Sequence, residues 1–248
     1  LDKYDIYQIL MDYWSESMQD DVYAIAQDGW IVGKQLRKLI VAKGEKLKET
    51  ADLIIDKTKY KAELISPALI INRYYSDEQD HIDTLQAELD TITSTIADYT
   101  ETHGDDEGLL ADASNDKGSF NKSSVSARLK LATDNDEINA LKQLLAYFES
   151  EAAAKKAVKE AQDVLDLAVF KKYPTLTEDD IKTLLVTDKW QATLQSRIEA
   201  EIERITAQLA DRVTVLEERY AEPLPNLLDE VDRLSQKVTA HLQAMGVA

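Results

Sequence analysis

The residues of this chain that could do acid–base or metal chemistry are its acidic clusters and its three histidines. The acidic clusters occur at 20–21, 105–107 and 178–180. Carboxylates that hold Ca²⁺ alternate along a loop around a glycine, and none of these clusters has that spacing. His81, His103 and His241 form no His-x-x-x-His pair, which would place two zinc ligands on one helical face. We therefore predict no metal site.

Motifs for nucleotide binding and for nucleophilic catalysis are also missing from the sequence. It has no Gly-x-Gly-x-x-Gly, no Gly-Lys-Ser/Thr phosphate loop and no Gly-x-Ser-x-Gly elbow. Because it has no cysteine, it forms no disulfide, which fits the reducing cytoplasm where we expect the protein. No apolar run approaches the roughly 20 residues that span a bilayer, so we expect no membrane contact. We predict no catalytic residue and no bound cofactor in this chain.

The elements that position the side chains are predicted to be long helices. Only 7 glycines and 4 prolines occur in 248 residues, and 31% of residues are charged. This composition favours an all-α fold, a long antiparallel helical hairpin or coiled-coil bundle. We expect an N-terminal part at 1–65, with an aromatic helix and a basic linker, and a long-helix domain at 66–248. A small insert, with a short hairpin as one option, is expected near 104–135.

Aromatic residues concentrate at the start of the chain. Six of the 17 lie within the first 30 positions, in a segment with helical apolar spacing that predicts a helix over 4–27. Gly29 is suited to end it. The stretch 45–61 could form a short strand or a helical turn, and the sequence does not decide between them.

Two heptad-spaced segments predict a helical hairpin. Ser66 and Pro67 are a good helix start, and apolar residues then recur every three or four positions from 82 to 99. A similar pattern from about 136 to 172 predicts an antiparallel partner helix. The insert between them, at 104–137, could hold a hairpin around 115–118 and a short helix over about 123–131, capped by Asn121 or Ser123.

The last third of the chain predicts two more helices. Thr177 is the expected cap of a short helix, and a long helix is expected over 189–220. The "EPLP" at 222–225 breaks it, and a final helix follows over 226–245. Its apolar stripe could complete the bundle or contact another subunit. The stripe comprises Leu228, Val231, Leu234, Val238 and Leu242.

One basic stretch interrupts an acidic chain. The net charge is −18, yet the segment from Lys34 to Lys61 has nine Lys and Arg against four Asp and Glu. A solvated face or linker accounts for such a run. The other interpretation is a contact with DNA phosphates. The residues for it are Lys34, Arg37, Lys38, Lys43, Lys46 and Lys48.

Four stretches together resemble the C-terminal part of the modification (methyltransferase) subunit of type I restriction-modification systems. They are "YDIYQILMDYWSESMQDDVYAIAQDGW", "ELISPALIINRYY", "TLTEDDIKTLLVTDKW" and "LEERYAEPLPNLLDEVDRLSQKVTAHLQAMG". The resemblance implies a parent enzyme that uses S-adenosylmethionine to methylate adenine in DNA. The family's Asn-Pro-Pro-Tyr/Phe motif and cofactor loop are absent here. Since the chain also opens on Leu rather than Met, we expect residues to be missing upstream.

The resemblance also implies partners. The C-terminal helices of the family assemble with the specificity subunit, and two modification subunits join one specificity subunit around DNA. We therefore expect this chain to be a non-catalytic assembly region. A generic coiled-coil scaffold and an auxiliary DNA contact through 34–61 are the alternatives. The expected interface comprises Tyr13, Trp14, Met18, Tyr23, Trp30 and the final-helix stripe, although the aromatic block could equally be local core.

Overall fold

The computed structural model describes residues 2–40, 50–105, 108–115, 119–221 and 224–246. The protein is mostly helical, at 79% of residues, which confirms the predicted fold class. It divides into two compact units. The terminal unit consists of Leu1–Met18 and Gln191–Ala248, and the central unit is Gln19–Trp190.

The described residues form nine α-helices and three strands. The helices are α1 (Lys3–Tyr13), α2 (Gln19–Asp28), α3 (Pro67–Tyr74), α4 (Ser76–His103), α5 (Lys122–Leu129), α6 (Asn135–Lys172), α7 (Glu178–Lys182), α8 (Ala192–Arg219) and α9 (Leu224–Ala244). The strands are β1 (Leu36–Lys38), β2 (Leu53–Ile55) and β3 (Thr58–Ala62). Two π-helical segments lie at Trp14–Met18 and Thr183–Gln191, and 3₁₀ turns lie at Trp30–Lys34, Ala111–Ala113 and Tyr173–Thr175.

The antiparallel hairpin is formed by α4 and α6. The Tyr75 hydroxyl lies 3.4 Å from the carbonyl oxygen of Ala168, and the Tyr99 hydroxyl lies 3.4 Å from that of Ala140. Later residues of this segment contact earlier residues of α6, so the two helices are antiparallel. Ile82 is buried in this seam. The partner helix that the heptad pattern of α4 requires is therefore α6 of the same chain.

The undecided stretch at 45–61 forms strands where it is described. β3 lies at the centre of a three-stranded antiparallel sheet with the order β1-β3-β2. Asp56 and Lys57 have φ values of 48° and 64°, as a two-residue hairpin turn with the right twist requires. The ring of Tyr60 lies 5.0 Å from that of Phe170 in α6, so one face of the sheet packs against that helix.

The insert differs from the predicted hairpin. On one side of residues 116–118, which lie outside the described residues, the chain forms the 3₁₀ turn Ala111–Ala113, and on the other it forms α5. The short helix was predicted correctly, and its cap is Asn121, whose side chain accepts a hydrogen bond from the Ser124 amide at 2.8 Å. This cap favours a helix over a strand because it satisfies an otherwise unpaired amide of the first turn.

Buried apolar residues of the central unit form two clusters. The larger one joins residues before and after the boundary expected at 65, for example Val32 and Leu53 with Ile70 and Val169. Residues on both sides of position 65 thus share one core, because one face of the sheet packs against α6. The smaller cluster closes the far end of the hairpin, with Val125 of α5 against Leu141 and Leu144 of α6.

Candidate assembly surfaces

Helix α9 presents an apolar stripe that no described residue buries. Leu228 and Val238 are 56% and 57% exposed, and none of the residues of α9 is buried. The stripe repeats at intervals of three and four residues, so its members line one face of the helix. All five residues predicted for this face are exposed: Leu228, Val231, Leu234, Val238 and Leu242. The stripe has the geometry of a coiled-coil seam without its partner.

Helix α8 also exposes apolar side chains. None of its residues is buried, and large apolar side chains are exposed along its second half and at Tyr220, the residue that follows it. These side chains are Leu209, Val213, Val215, Leu216 and Tyr220. Leu209, Val213, Leu216 and Tyr220 recur every three or four residues and so line one face, and exposed apolar faces of this kind mark interaction sites.

The first half of α8 packs against α1. Arg197 of α8 donates a hydrogen bond to Glu16 at 2.5 Å, and this hydrogen bond lowers the pKa of Glu16. The guanidinium of Arg197 also lies 4.9 Å from the centre of the Tyr13 ring, and Tyr13 is only 4% exposed. Tyr13 is thus a local core contact, the alternative that the sequence left open for the aromatic block.

The outward side of α1 has a stripe that the predicted interface largely omitted. Tyr4, Tyr7, Met11 and Trp14 follow each other at intervals of three, four and three, and all four are exposed. Only Trp14 was in the predicted interface. The spacing was visible in the sequence, but α1 has apolar residues around most of its circumference, so spacing alone does not say which stripe faces inward.

Of the other residues predicted for the interface in this block, Tyr23 and Trp30 belong to the central unit and Met18 to the terminal unit. Tyr23 is 73% exposed and is available to a partner. Trp30 is half-buried, packs against the larger apolar cluster and has the Lys182 ammonium 5.6 Å from its ring centre, so it is a core contact. Met18 is half-buried. Of these three residues, only Tyr23 is exposed.

A buried polar cluster in the central unit was not predicted. Asp21 of α2 accepts hydrogen bonds from the Lys189 ammonium and, at 2.9 Å, from the indole nitrogen of Trp190. Its side chain is 8% exposed. Sequence reasoning treated Asp20 and Asp21 as one acidic pair, and no local pattern distinguishes the buried member.

The basic stretch is placed on and around the sheet. Arg37 of β1 forms an ion pair with Glu63, Lys38 is exposed and Lys34 is half-buried. Lys43, Lys46 and Lys48 lie outside the described residues. The structure brings Arg37 next to Lys61, which the linear pattern did not indicate.

The acidic cluster at 178–180 has a structural role. The Thr177 hydroxyl and the Asp180 carboxylate cap the start of α7 reciprocally, and hydrogen bonds from Thr177 lower the pKa of Asp180. Within the described ranges, no group of three or more His, Cys, Asp or Glu residues could hold a metal ion. Among the helices that the structure describes, none is both long and apolar enough to cross a membrane.

Comparison with known proteins adds no family to this description. No family model, no curated protein and no solved structure matches the chain. The resemblance to type I modification subunits therefore stays a prediction, and the function is argued from the exposed helical surfaces.

Proposed function

We propose that this chain is a non-catalytic assembly region of a type I restriction-modification methyltransferase subunit. In this role α9, with the second half of α8, binds the helical part of the specificity subunit and so joins the modification subunits to the complex on DNA. The parent subunit would methylate adenine with S-adenosylmethionine through residues outside this chain. The proposal rests on the sequence resemblance and on the exposed helical stripes.

The observation that carries the proposal is the α9 stripe. Burying a Leu or Val side chain fully stabilises a complex by about 1.5–3 kcal/mol relative to leaving it in water. Five such residues, each still 41–57% exposed, represent several kcal/mol of available stabilisation. An amphipathic helix that presents these residues at seam spacing is one of the common ways in which a protein recognises a partner helix.

The charges beside the stripe limit which partner helix fits. Beside the stripe, the first half of α9 has Glu230 and Asp232, whereas Lys237 and His241 lie in its second half. Glu230 also forms an ion pair with Arg233 within the helix. A partner helix with basic residues beside the first half and acidic residues beside the second is therefore favoured, since flanking charges set partner choice and direction in coiled coils.

A generic coiled-coil scaffold is the second candidate, and the same charge order favours it. Glu230 and Lys237 are seven residues apart, and thus on the same side of α9. If two copies of α9 paired antiparallel, Glu230 of each copy would lie near Lys237 of the other. The stripe would then hold two identical chains together rather than recruit a specificity subunit.

Light scattering of the purified chain, alone and with a specificity subunit, separates the two candidates. A monomer that forms a complex only with that subunit supports the docking function. Removal of residues 226–248 should then weaken the complex. A stable dimer in the absence of the subunit favours the scaffold, and an unchanged complex after the deletion contradicts docking through α9.

A further inference from the structure

We infer that the outer face of the three-stranded sheet binds the phosphate backbone of a nucleic acid. This surface belongs to the central unit and is independent of the docking stripe on α9. The sequence predicted a DNA contact through the stretch 34–61, with Lys34, Arg37, Lys38, Lys43, Lys46 and Lys48 as its residues. The inference assigns the contact instead to side chains of β1, β3 and the β2–β3 turn.

The register of the sheet aligns its cations. Arg37 of β1 lies directly opposite Lys61 of β3. Lys59 precedes Lys61 by two residues in the same strand. Side chains alternate between the two faces of a strand, so these three residues share the face opposite Tyr60, whose ring contacts Phe170. At about 3.4 Å per residue, Lys59 and Lys61 are spaced by about 7 Å along the strand.

Two of these cations are held in place by carboxylates. Arg37 forms an ion pair with Glu63, and the Lys61 ammonium lies 2.9 Å from a carboxylate oxygen of Asp52. The other oxygen of Asp52 accepts a hydrogen bond from the Ala62 amide at 2.9 Å. These contacts fix the direction of the two cations, and a guanidinium in fixed orientation suits a phosphate group.

The remaining cations of the sheet have no such partner. Neither Lys59 nor Lys57, at the tip of the β2–β3 turn, forms an ion pair with a residue that the structure describes, and both are exposed. The described parts of the segment 34–63 contain six Lys and Arg against Asp52, Asp56 and Glu63, a net charge of +3 within a chain of −18.

Glu63 and Asp52 offset Arg37 and Lys61, the like charges that lie directly opposite each other in the sheet. Lys57 and Lys59 keep a positive charge that no described carboxylate offsets. A ligand with regularly repeated negative charge would compensate the row, and a nucleic acid backbone has such a charge along its whole length. An acidic peptide is the competing ligand, and the experiment below distinguishes it.

The test measures fluorescence anisotropy of a short labelled DNA duplex titrated with the full chain at low and at moderate salt. The variant Lys57→Glu/Lys59→Glu replaces two cations of β3 and its turn that form no ion pair with a described residue. The control variant Lys156→Glu/Lys159→Glu makes the same change in net charge on the exposed side of α6. Circular dichroism confirms that each variant is folded, and Lys59→Gln serves as a milder substitution if the double variant is not.

We expect the sheet variant to weaken DNA binding by about tenfold or more and the control by less than about twofold. The slope of log K against log salt should also fall by about 1.8 in the sheet variant, since each phosphate contact contributes about 0.9. Three results would overturn the inference: no binding of wild-type chain at low salt, equal losses in both variants, or binding of polyglutamate that is as tight as that of DNA and as sensitive to the sheet variant. None of them depends on a specificity subunit, so they are distinct from a failure of the docking proposal.

Discussion

The carboxylate of Asp21 and the ammonium of Lys189 are in direct contact, at 2.7 and 2.6 Å, although 168 residues separate them in the sequence. Asp21 lies in the first turn of α2 and Lys189 in the π-helical segment before α8. The indole nitrogen of Trp190 supplies a further hydrogen bond to the same carboxylate. This contact ties the first helix of the central unit to its last segment.

Replacement of Asp21 by Ala should destabilise the protein strongly. Removing one partner of a buried ion pair leaves the other charge and its hydrogen-bond donors without compensation, at a cost of about 3–5 kcal/mol. Urea denaturation measures the loss in the free energy of unfolding. Asp20→Ala, which removes an exposed carboxylate from the adjacent position, should change it by less than about 0.5 kcal/mol. Similar losses in the two variants would show that Asp21 has no special role.

The stability of the protein should depend on the protonation of Tyr173. Its buried hydroxyl donates a hydrogen bond to the Ile65 carbonyl at 2.6 Å. Burial, with a smaller effect of Asp52, raises the pKa of this phenol above its usual value. The folded protein therefore favours the neutral form. This contribution is complete below the unfolded pKa of about 10 and is lost as the pH rises from there towards the folded pKa.

The experiment is urea denaturation of the wild type and Tyr173→Phe between neutral pH and pH values above about 10. At neutral pH the variant should lose about 1–3 kcal/mol, because the Ile65 carbonyl loses its partner. The difference between the proteins should shrink at alkaline pH, since only the wild type has the buried phenol to ionise. Tyr23→Phe, at an exposed position, should track the wild type throughout. A difference that does not change with pH would contradict the proposed coupling.

A methyl group at position 33 should not fit. Gly33 is buried in the 3₁₀ turn Trp30–Lys34, and a Cβ there would lie 2.6 Å from Cγ2 of Ile181 in α7. Gly33→Ala should lower the free energy of unfolding by about 1–3 kcal/mol because the surrounding core must move apart. A thermal melt that equals that of the wild type would mean that α7 adapts without cost.

The long helices were predictable because their determinants are local. Apolar spacing gave α4, α6, α8 and α9, and the caps at Ser66, Asn121 and Thr177 mark the starts of α3, α5 and α7. The sheet was not predictable in the same way. Its central strand β3 pairs with β1 across more than twenty residues, and no short-range pattern indicates that pairing or its register.

The candidate surfaces also differ in how well the sequence predicts them. The residues of the α9 stripe could be identified from the sequence, because the helix has a single apolar face among charged residues. That the stripe is an interface stays a prediction. On α1 the prediction included Tyr13, which is buried, and omitted Tyr7, which is exposed. A helix with apolar residues on several sides requires knowledge of its neighbour, here α8 with Arg197, before its outer face can be identified.

The most direct test of the docking function is calorimetric titration of a specificity subunit with variants of α9. Leu234→Asp/Val238→Asp places two carboxylates in the stripe. Gln236→Asp/Ala240→Asp adds the same charge on another side of the same helix. Because no residue of α9 is buried, both variants should fold as the wild type does. We predict that the stripe variant weakens binding by at least about hundredfold, which corresponds to about 2.8 kcal/mol, while the control stays near the wild-type affinity. Equal affinities of the two variants would contradict docking through the α9 stripe.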